Sequence, residues 1–174
     1  KRALAFTQSI NISKIIQSEF KNVVDDYLSN EKIEEKFKVD LDIEIEHVDG
    51  TFPSDKRNEK LNWLKDDTEK NHCRILSNVR CLSEGVDVPT LDAIMFLHPR
   101  KSQIDVVQSV GRVMRKAESK DMGYVIIPIT VAPGVSPERA LNDSERYRVV
   151  WQILNALRSH DERMDSAINK IGLG

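Results

Sequence analysis

Gln108, Arg112 and Arg115 carry the strongest chemical signal in this chain. Within Gln108-Ser109-Val110-Gly111-Arg112-Val113-Met114-Arg115 they stand at i, i+4 and i+7, so on a helix one amide and two guanidinium groups project from one face. Such a face suits a polyphosphate. Transfer of a γ-phosphoryl group spreads negative charge over its equatorial oxygens, and arginines aimed at that charge stabilise the transition state without a covalent part in it. The planar guanidinium stays protonated and can grip two phosphate oxygens at once. Gly111 removes a side chain beside the arginines and lets another backbone or a ligand come close, at a helix cost of about 1 kcal/mol relative to Ala. On spacing alone a plainer reading has the advantage: two surface arginines that favour the macrodipole near a helix C-terminus.

A second constellation changes that balance. Ile75-Leu76-Ser77-Asn78 leads through Val79-Arg80-Cys81-Leu82 to Ser83-Glu84-Gly85-Val86-Asp87-Val88-Pro89, a strand followed by a polar loop with a glycine two residues before an aspartate. Gly85 permits close approach to a ligand, and the Asp87 carboxylate can accept hydrogen bonds from ribose hydroxyls or orient an arginine. Pro89 helps return the chain to an extended course. Elsewhere, Asp40, Asp42, Glu44 and Glu46 alternate with Val39, Leu41, Ile43 and Ile45. Carboxylates on the outer face of an edge strand discourage unwanted pairing, a reading that outranks a metal or acid-base cluster. The two cysteines and four histidines have no metal-ligand spacing, so neither a metal site nor a disulfide framework is expected.

The elements that must position these residues follow from periodicity. Leu4-Ala5-Phe6 reads as a strand. Apolar residues recurring from Ser13 through Ile15, Ile16, Phe20, Val23, Val24, Tyr27 and Leu28 read as a helix. The alternating stretch to Val48 is a strand near a sheet edge, and Pro53 to Asp66 is a helix with Ser54 as its cap. Arg74 to Ser77, Ala93 to Leu97 and Tyr124 to Val131 are short apolar runs of a buried parallel sheet. Ser102 and Asp105 have capping-box spacing, with Asp for the usual Glu, and open a helix to about Lys116. The order βαβαββαβ predicts an α/β fold, a doubly wound, mostly parallel sheet flanked by helices. From Asn142 or Asp143 onward, Tyr147, Val150, Trp151, Leu154 and Leu157 form one stripe of a C-terminal helical extension, which either packs back on the sheet or connects to a following domain. The expected division is residues 1–132 and 133–174.

With 174 residues, 40% hydrophobic and 31% charged, the chain has the size of one globular domain. A formal net charge of -2 gives no bulk attraction to nucleic acid, so phosphate contacts must be local. Its apolar runs are strand-length, without a leader or membrane span. The expectation is a cytoplasmic protein and an excerpt of a longer chain.

Taken in order, these segments make the sequence resemble the C-terminal RecA-like domain of superfamily 2 helicases. Ala3-Leu4-Ala5-Phe6-Thr7-Gln8-Ser9 looks like motif IV, His47 to Arg57 like the segment after it, Ser77 to Pro89 like motif V, and Gln108 to Arg115 like motif VI. Within that superfamily the sequence is most similar to the motor of type I-like restriction-modification enzymes of the single-polypeptide, type ISP kind. The similarity runs through His47-Val48-Asp49-Gly50-Thr51, Arg57-Asn58-Glu59, Arg80 to Asp87, Gly111 to Lys116 and Asn142 to Arg158. The resemblance implies that Arg112 and Arg115 reach ATP phosphates held on a partner domain, with Arg115 the first choice as arginine finger, and that Gln108 helps sense the γ-phosphate. It implies that Gly85 and Asp87 face the nucleotide, and that Thr7, Gln8, Ser77 and Asn78 lie near the nucleic-acid backbone. Arg57, His47 and Asp49 are further backbone candidates, although Arg57 on a helix equally suits an exposed salt bridge. Ser109 departs from the Arg common at that place in the family, which leaves the number of basic groups at the phosphates open.

No GxxxxGK[ST] loop and no acidic strand end of the DEAD or DEAH kind occur here, so half an active site is present. The expectation is that an upstream RecA-like domain of the same polypeptide holds ATP and Mg²⁺ and that this domain alone is inactive. The expected nucleic acid is double-stranded DNA, with RNA as the alternative. The competing reading is a non-catalytic nucleic-acid or protein binding module on a RecA-like fold; a dinucleotide enzyme is remote because the first strand lacks GxGxxG.

Overall fold

The computed structural model describes residues 1–30, 40–79, 91–98, 102–114, 120 and 122–158. Ten elements follow in chain order: β1 (Arg2–Phe6), α1 (Ile10–Leu28), β2 (Asp42–Asp49), α2 (Ser54–Lys65), β3 (His72–Val79), β4 (Ala93–Phe96), α3 (Gln103–Met114), β5 (Tyr124–Ile126), α4 (Pro137–Asn142) and α5 (Arg148–Arg158). The strands form one sheet in the order β2-β3-β1-β4-β5, and every pairing is parallel. β2 lies at an edge, as its alternating carboxylates predict.

The central strand shows how sequence period becomes layered packing. Along β1, Leu4 and Phe6 point into one core with Leu76, Ile94 and Phe96, while Ala3 and Ala5 point into a second with Ile43 and Ile75. Successive side chains of a strand face opposite ways, so a strand buried on both faces must be apolar throughout. Phe20 and Val24 of α1 cover the alanine side. Leu61 and Leu64 of α2, Val106, Val110 and Val113 of α3, and Val150 and Leu154 of α5 cover the other. Each of these fully buried aliphatic side chains stabilises the fold by about 1.5–3 kcal/mol. The Phe6 and Phe96 rings stack with centroids 5.6 Å apart across the β1–β4 pair.

Two helix starts differ from the expected ones. α1 begins at Ile10, ahead of Ser13, because the Ser9 hydroxyl accepts from the Ile12 amide at 3.3 Å. α2 has Pro53, with ψ of 156°, at the capping position and no side-chain cap bond. Ser54 is already helical there, and its hydroxyl accepts from Arg57 Nη2 at 3.2 Å. For α3 the expected start holds: Ser102 Oγ accepts from the Asp105 amide at 3.3 Å.

The last strand is shorter than expected, ending at Ile126 instead of Val131. β4 stops at Phe96, and Pro128 has no N–H to give to a ladder. Ile127 and Ile129 still pack on the core. Among the described residues the C-terminal part forms two helices, and Tyr147, Val150, Trp151, Ile153 and Leu154 join the same core as β1. Through Arg158 this stripe therefore packs back on the domain, and Trp151 Nε1 ties α5 to α4 by donating to Asn142 Oδ1 at 2.6 Å.

Candidate functional site

α3 turns its outward face by burying the inward one. Val106, Ser109, Val110 and Val113 are buried, which leaves Gln108 and Gly111 exposed and Arg112 half-buried on the other side. Ser109, at the position where the family commonly has Arg, is 1% exposed. It faces the core, so the basic character of this helix lies elsewhere. A Cβ added at Gly111 would meet nothing within 4 Å, and Gly111 is not among the positive-φ glycines. Neither backbone geometry nor packing within the described residues asks for glycine there. Arg115, Gly85 and Asp87 lie outside the described residues.

The parallel topology sends α3 from the carboxyl end of β4 back to the start of β5. Its last turn, carrying Arg112, thus lies toward the amino ends of the strands. In agreement, the Lys120 ammonium donates both to the Val113 carbonyl and to the Leu91 carbonyl just before β4.

The other candidate residues gather at the opposite, carboxyl edge, where ligands of open α/β sheets bind. Thr7 and Gln8 follow β1, His47 and Asp49 close β2, and Ser77 and Asn78 close β3. Gln8 is exposed, whereas Thr7, Ser77 and Asn78 are buried. Thr7 Oγ1 donates to the Asn78 carbonyl at 3.2 Å, and Asn78 Nδ2 donates to the Ala5 carbonyl at 3.2 Å. Asn78 Oδ1 is buried and has no hydrogen-bond partner among the described residues. Arg57 is half-buried in the first turns of α2, where it donates to Ser54.

A buried polar chain runs beneath this rim. Ser77 Oγ lies 2.5 Å from Ser13 Oγ, which lies 2.7 Å from His47 Nδ1. His47 Nε2 is 2.8 Å from Asp49 Oδ2, and Asp49 Oδ1 accepts from the Thr51 amide at 2.7 Å and its hydroxyl at 2.6 Å. With neutral imidazole the carboxylate selects the Nε2–H tautomer. Nδ1 then accepts from Ser13, and Ser77 donates to Ser13. Burial of Asp49 works to raise its pKa, but the Thr51 bonds, followed by His47, outweigh it and hold the carboxyl below its usual range. By residue type this is a nucleophile–base–acid set. Ser13, however, is 0% exposed and closed to any substrate, so the chain fastens α1, β2 and β3 together. The sequence reading passed over Ser13. The signal was a serine on the same helical stripe as Ile16, Phe20 and Val24, a polar group on a face that packs against the sheet.

The edge carboxylates make ion pairs. Lys21 holds the Asp42 carboxyl below its usual range, and Arg74 does the same for Glu44. Among the described residues no three His, Cys, Asp or Glu side chains are placed to hold a metal ion, and no helix is long and apolar enough to cross a membrane.

Comparison with known proteins agrees with the motif order and the sheet. The ATP-dependent type ISP restriction-modification enzyme LlaBIII, solved bound to DNA, is 44% identical and superposes with a TM-score of 0.72 over 98% of this chain and 11% of its own. The C-terminal domain of the DEAD-box protein Dbp5 shares the fold, with 12% identity and a TM-score of 0.52 over 91% of this chain and 69% of its own. The probable helicase A859L of African swine fever virus is 35% identical over 89 residues, 51% of this chain and 10% of that protein. The chain thus spans about a tenth of the length of these curated relatives. Residues 1–117 match the helicase conserved C-terminal domain, and with its RecA-like parallel sheet the chain belongs to that family, within the superfamily 2 helicases.

Proposed function

We propose that this domain is the second motor domain of an ATP-dependent translocase acting on double-stranded DNA, within a restriction-modification enzyme. An upstream RecA-like domain of the same polypeptide holds ATP and Mg²⁺. Closing the cleft brings Arg112 and Arg115 onto the γ-phosphate, with Gln108 beside them and Gly85 and Asp87 facing the nucleotide. At the carboxyl edge, exposed Gln8 and half-buried Arg57 meet the DNA backbone. Thr7, Ser77 and Asn78, from beneath, fix the shape of the surface that DNA meets. The division at about residue 132, a helical extension leading onward, and a cytoplasmic location complete the proposal.

The observation that carries it is the outward face of α3. Gly111, exposed beside Arg112, costs helix stability and answers no need within the described residues, which points to a close approach from outside. The similarity to a DNA-bound, ATP-dependent enzyme supports the choice of substrate.

Steady-state ATP hydrolysis by the full parental chain, with and without double-stranded DNA, tests this. Arginine fingers supply about 10³ to 10⁵ in rate. Arg115→Ala should abolish DNA-stimulated turnover while ATP binding persists, and the isolated domain should show little hydrolysis. An unchanged rate in Arg115→Ala removes that residue from the mechanism. No DNA-stimulated hydrolysis in the native chain favours the binding-module reading.

A further inference from the structure

Lys120 belongs to none of the four motif segments, yet its side chain reaches into one of them and to the chain just beyond another. Its ammonium donates to the carbonyl of Val113, the residue after Arg112, and to the carbonyl of Leu91, two residues beyond Pro89. Val113 is 1% exposed and Leu91 0%, so both acceptors lie on buried residues. Two further observations show how closely this segment is held. A Cβ at Gly123 would stand 2.4 Å from Val113 Cγ1 and 2.4 Å from its carbonyl oxygen, so only glycine permits the approach. The Tyr124 amide donates to the Asp92 carbonyl at 2.8 Å, which fixes the same stretch to the start of β4. A cation beside the last turn of a helix complements the macrodipole.

We propose that Lys120 is a positioning residue for ATP hydrolysis. Its ammonium clamps the last turn of α3 to the segment entering β4, and so sets where Arg112 stands when the nucleotide arrives. This rests on the reading that Arg112 acts at the phosphates. The side chain itself touches no substrate. Its contribution is registration, and a displacement of about 1 Å in a group that must meet a transition state costs up to about 100-fold in rate. Burial pushes the Lys120 pKa down, in keeping with a cation withdrawn from water to reach backbone acceptors.

The test is DNA-stimulated ATP hydrolysis by the full parental chain, comparing the native sequence, Lys120→Met, Lys120→Arg, Arg112→Ala and the Lys120→Met/Arg112→Ala double variant. Lys120→Met should lower kcat by about 10- to 100-fold with KM for ATP within about twofold, the signature of a group felt in the transition state and not in ground-state binding. Lys120→Arg should recover most of the loss. In the Arg112→Ala background, Lys120→Met should add nothing, because the two act as one unit. A native kcat in Lys120→Met, or losses that multiply in the double variant, overturns the proposal. So does a loss that vanishes once rates are normalised to sites titrated with a non-hydrolysable ATP analogue. If Arg112→Ala is slowed while Lys120→Met is native, only this inference fails. If Arg112→Ala hydrolyses ATP normally, the reading of Arg112 fails and takes the inference with it.

Discussion

Ser13 shows what one hydroxyl in the wrong-looking place can do. It lies between Ser77 and His47, so Ser13→Ala leaves two buried polar groups short of a partner, at a cost of about 1–3 kcal/mol. Urea unfolding of this chain should show a lower midpoint with unchanged slope; an unaltered midpoint would mean the chain of bonds carries no net stability. Asp49 adds a pH dependence whose sign is fixed by its depressed pKa. Its contribution is present above the unfolded carboxylate value of about 3.9 and is lost as pH falls through the folded one. Asp49→Asn should therefore be less stable than the native chain at pH 7, and the gap should close on acidification. A gap that is constant with pH would assign the stability to packing.

At the scale of elements, two glycines predict opposite outcomes. Gly111→Ala gains helix propensity of about 1 kcal/mol and places its Cβ in open space. The variant should unfold at a higher temperature while the full parental chain loses ATPase activity, because the position answers to something outside the domain. Stabilisation with full activity would show that nothing approaches there. Gly123→Ala drives a Cβ into Val113 and should destabilise by about 1–3 kcal/mol. Most elements were legible because their signals are local: the alternation of β2, the stripe of α5 and the Ser102 cap each lie within a few residues. What was illegible depends on partners far along the chain. Ser54 looks like a cap until Pro53 takes the position, Tyr124 to Val131 looks like one strand until its short neighbour β4 ends, and Ser77 and Asn78 look like polar strand-end residues open to a ligand until α1 and β1 bond to them.

Across the whole molecule, the residues singled out for chemistry divide between two edges of the sheet. Arg112 lies in the last turn of a helix of 12 residues, about 18 Å long, whose start is near the carboxyl edge and whose last turn is toward the amino edge. The Thr7, Gln8, His47 and Ser77 group stays at the carboxyl edge. One domain can then serve ATP at one edge and a polymer at another, with the sheet and α3 as the rigid link between them, and the two functions should separate by mutation. Arg112→Ala should lower DNA-stimulated turnover by about 10³-fold or more, to a residual rate that can still be measured, with DNA affinity little changed. Arg57→Ala should raise the DNA concentration needed for half-maximal stimulation, keep the maximal rate, and lower the salt slope of binding by about 1 if it neutralises one phosphate. With a net charge of -2, no diffuse positive field stands behind such a contact, so its loss should be felt nearly in full. If Arg57→Ala leaves both affinity and salt slope unchanged, Arg57 serves only its bond to Ser54, and the contact to DNA passes to other residues of the carboxyl edge.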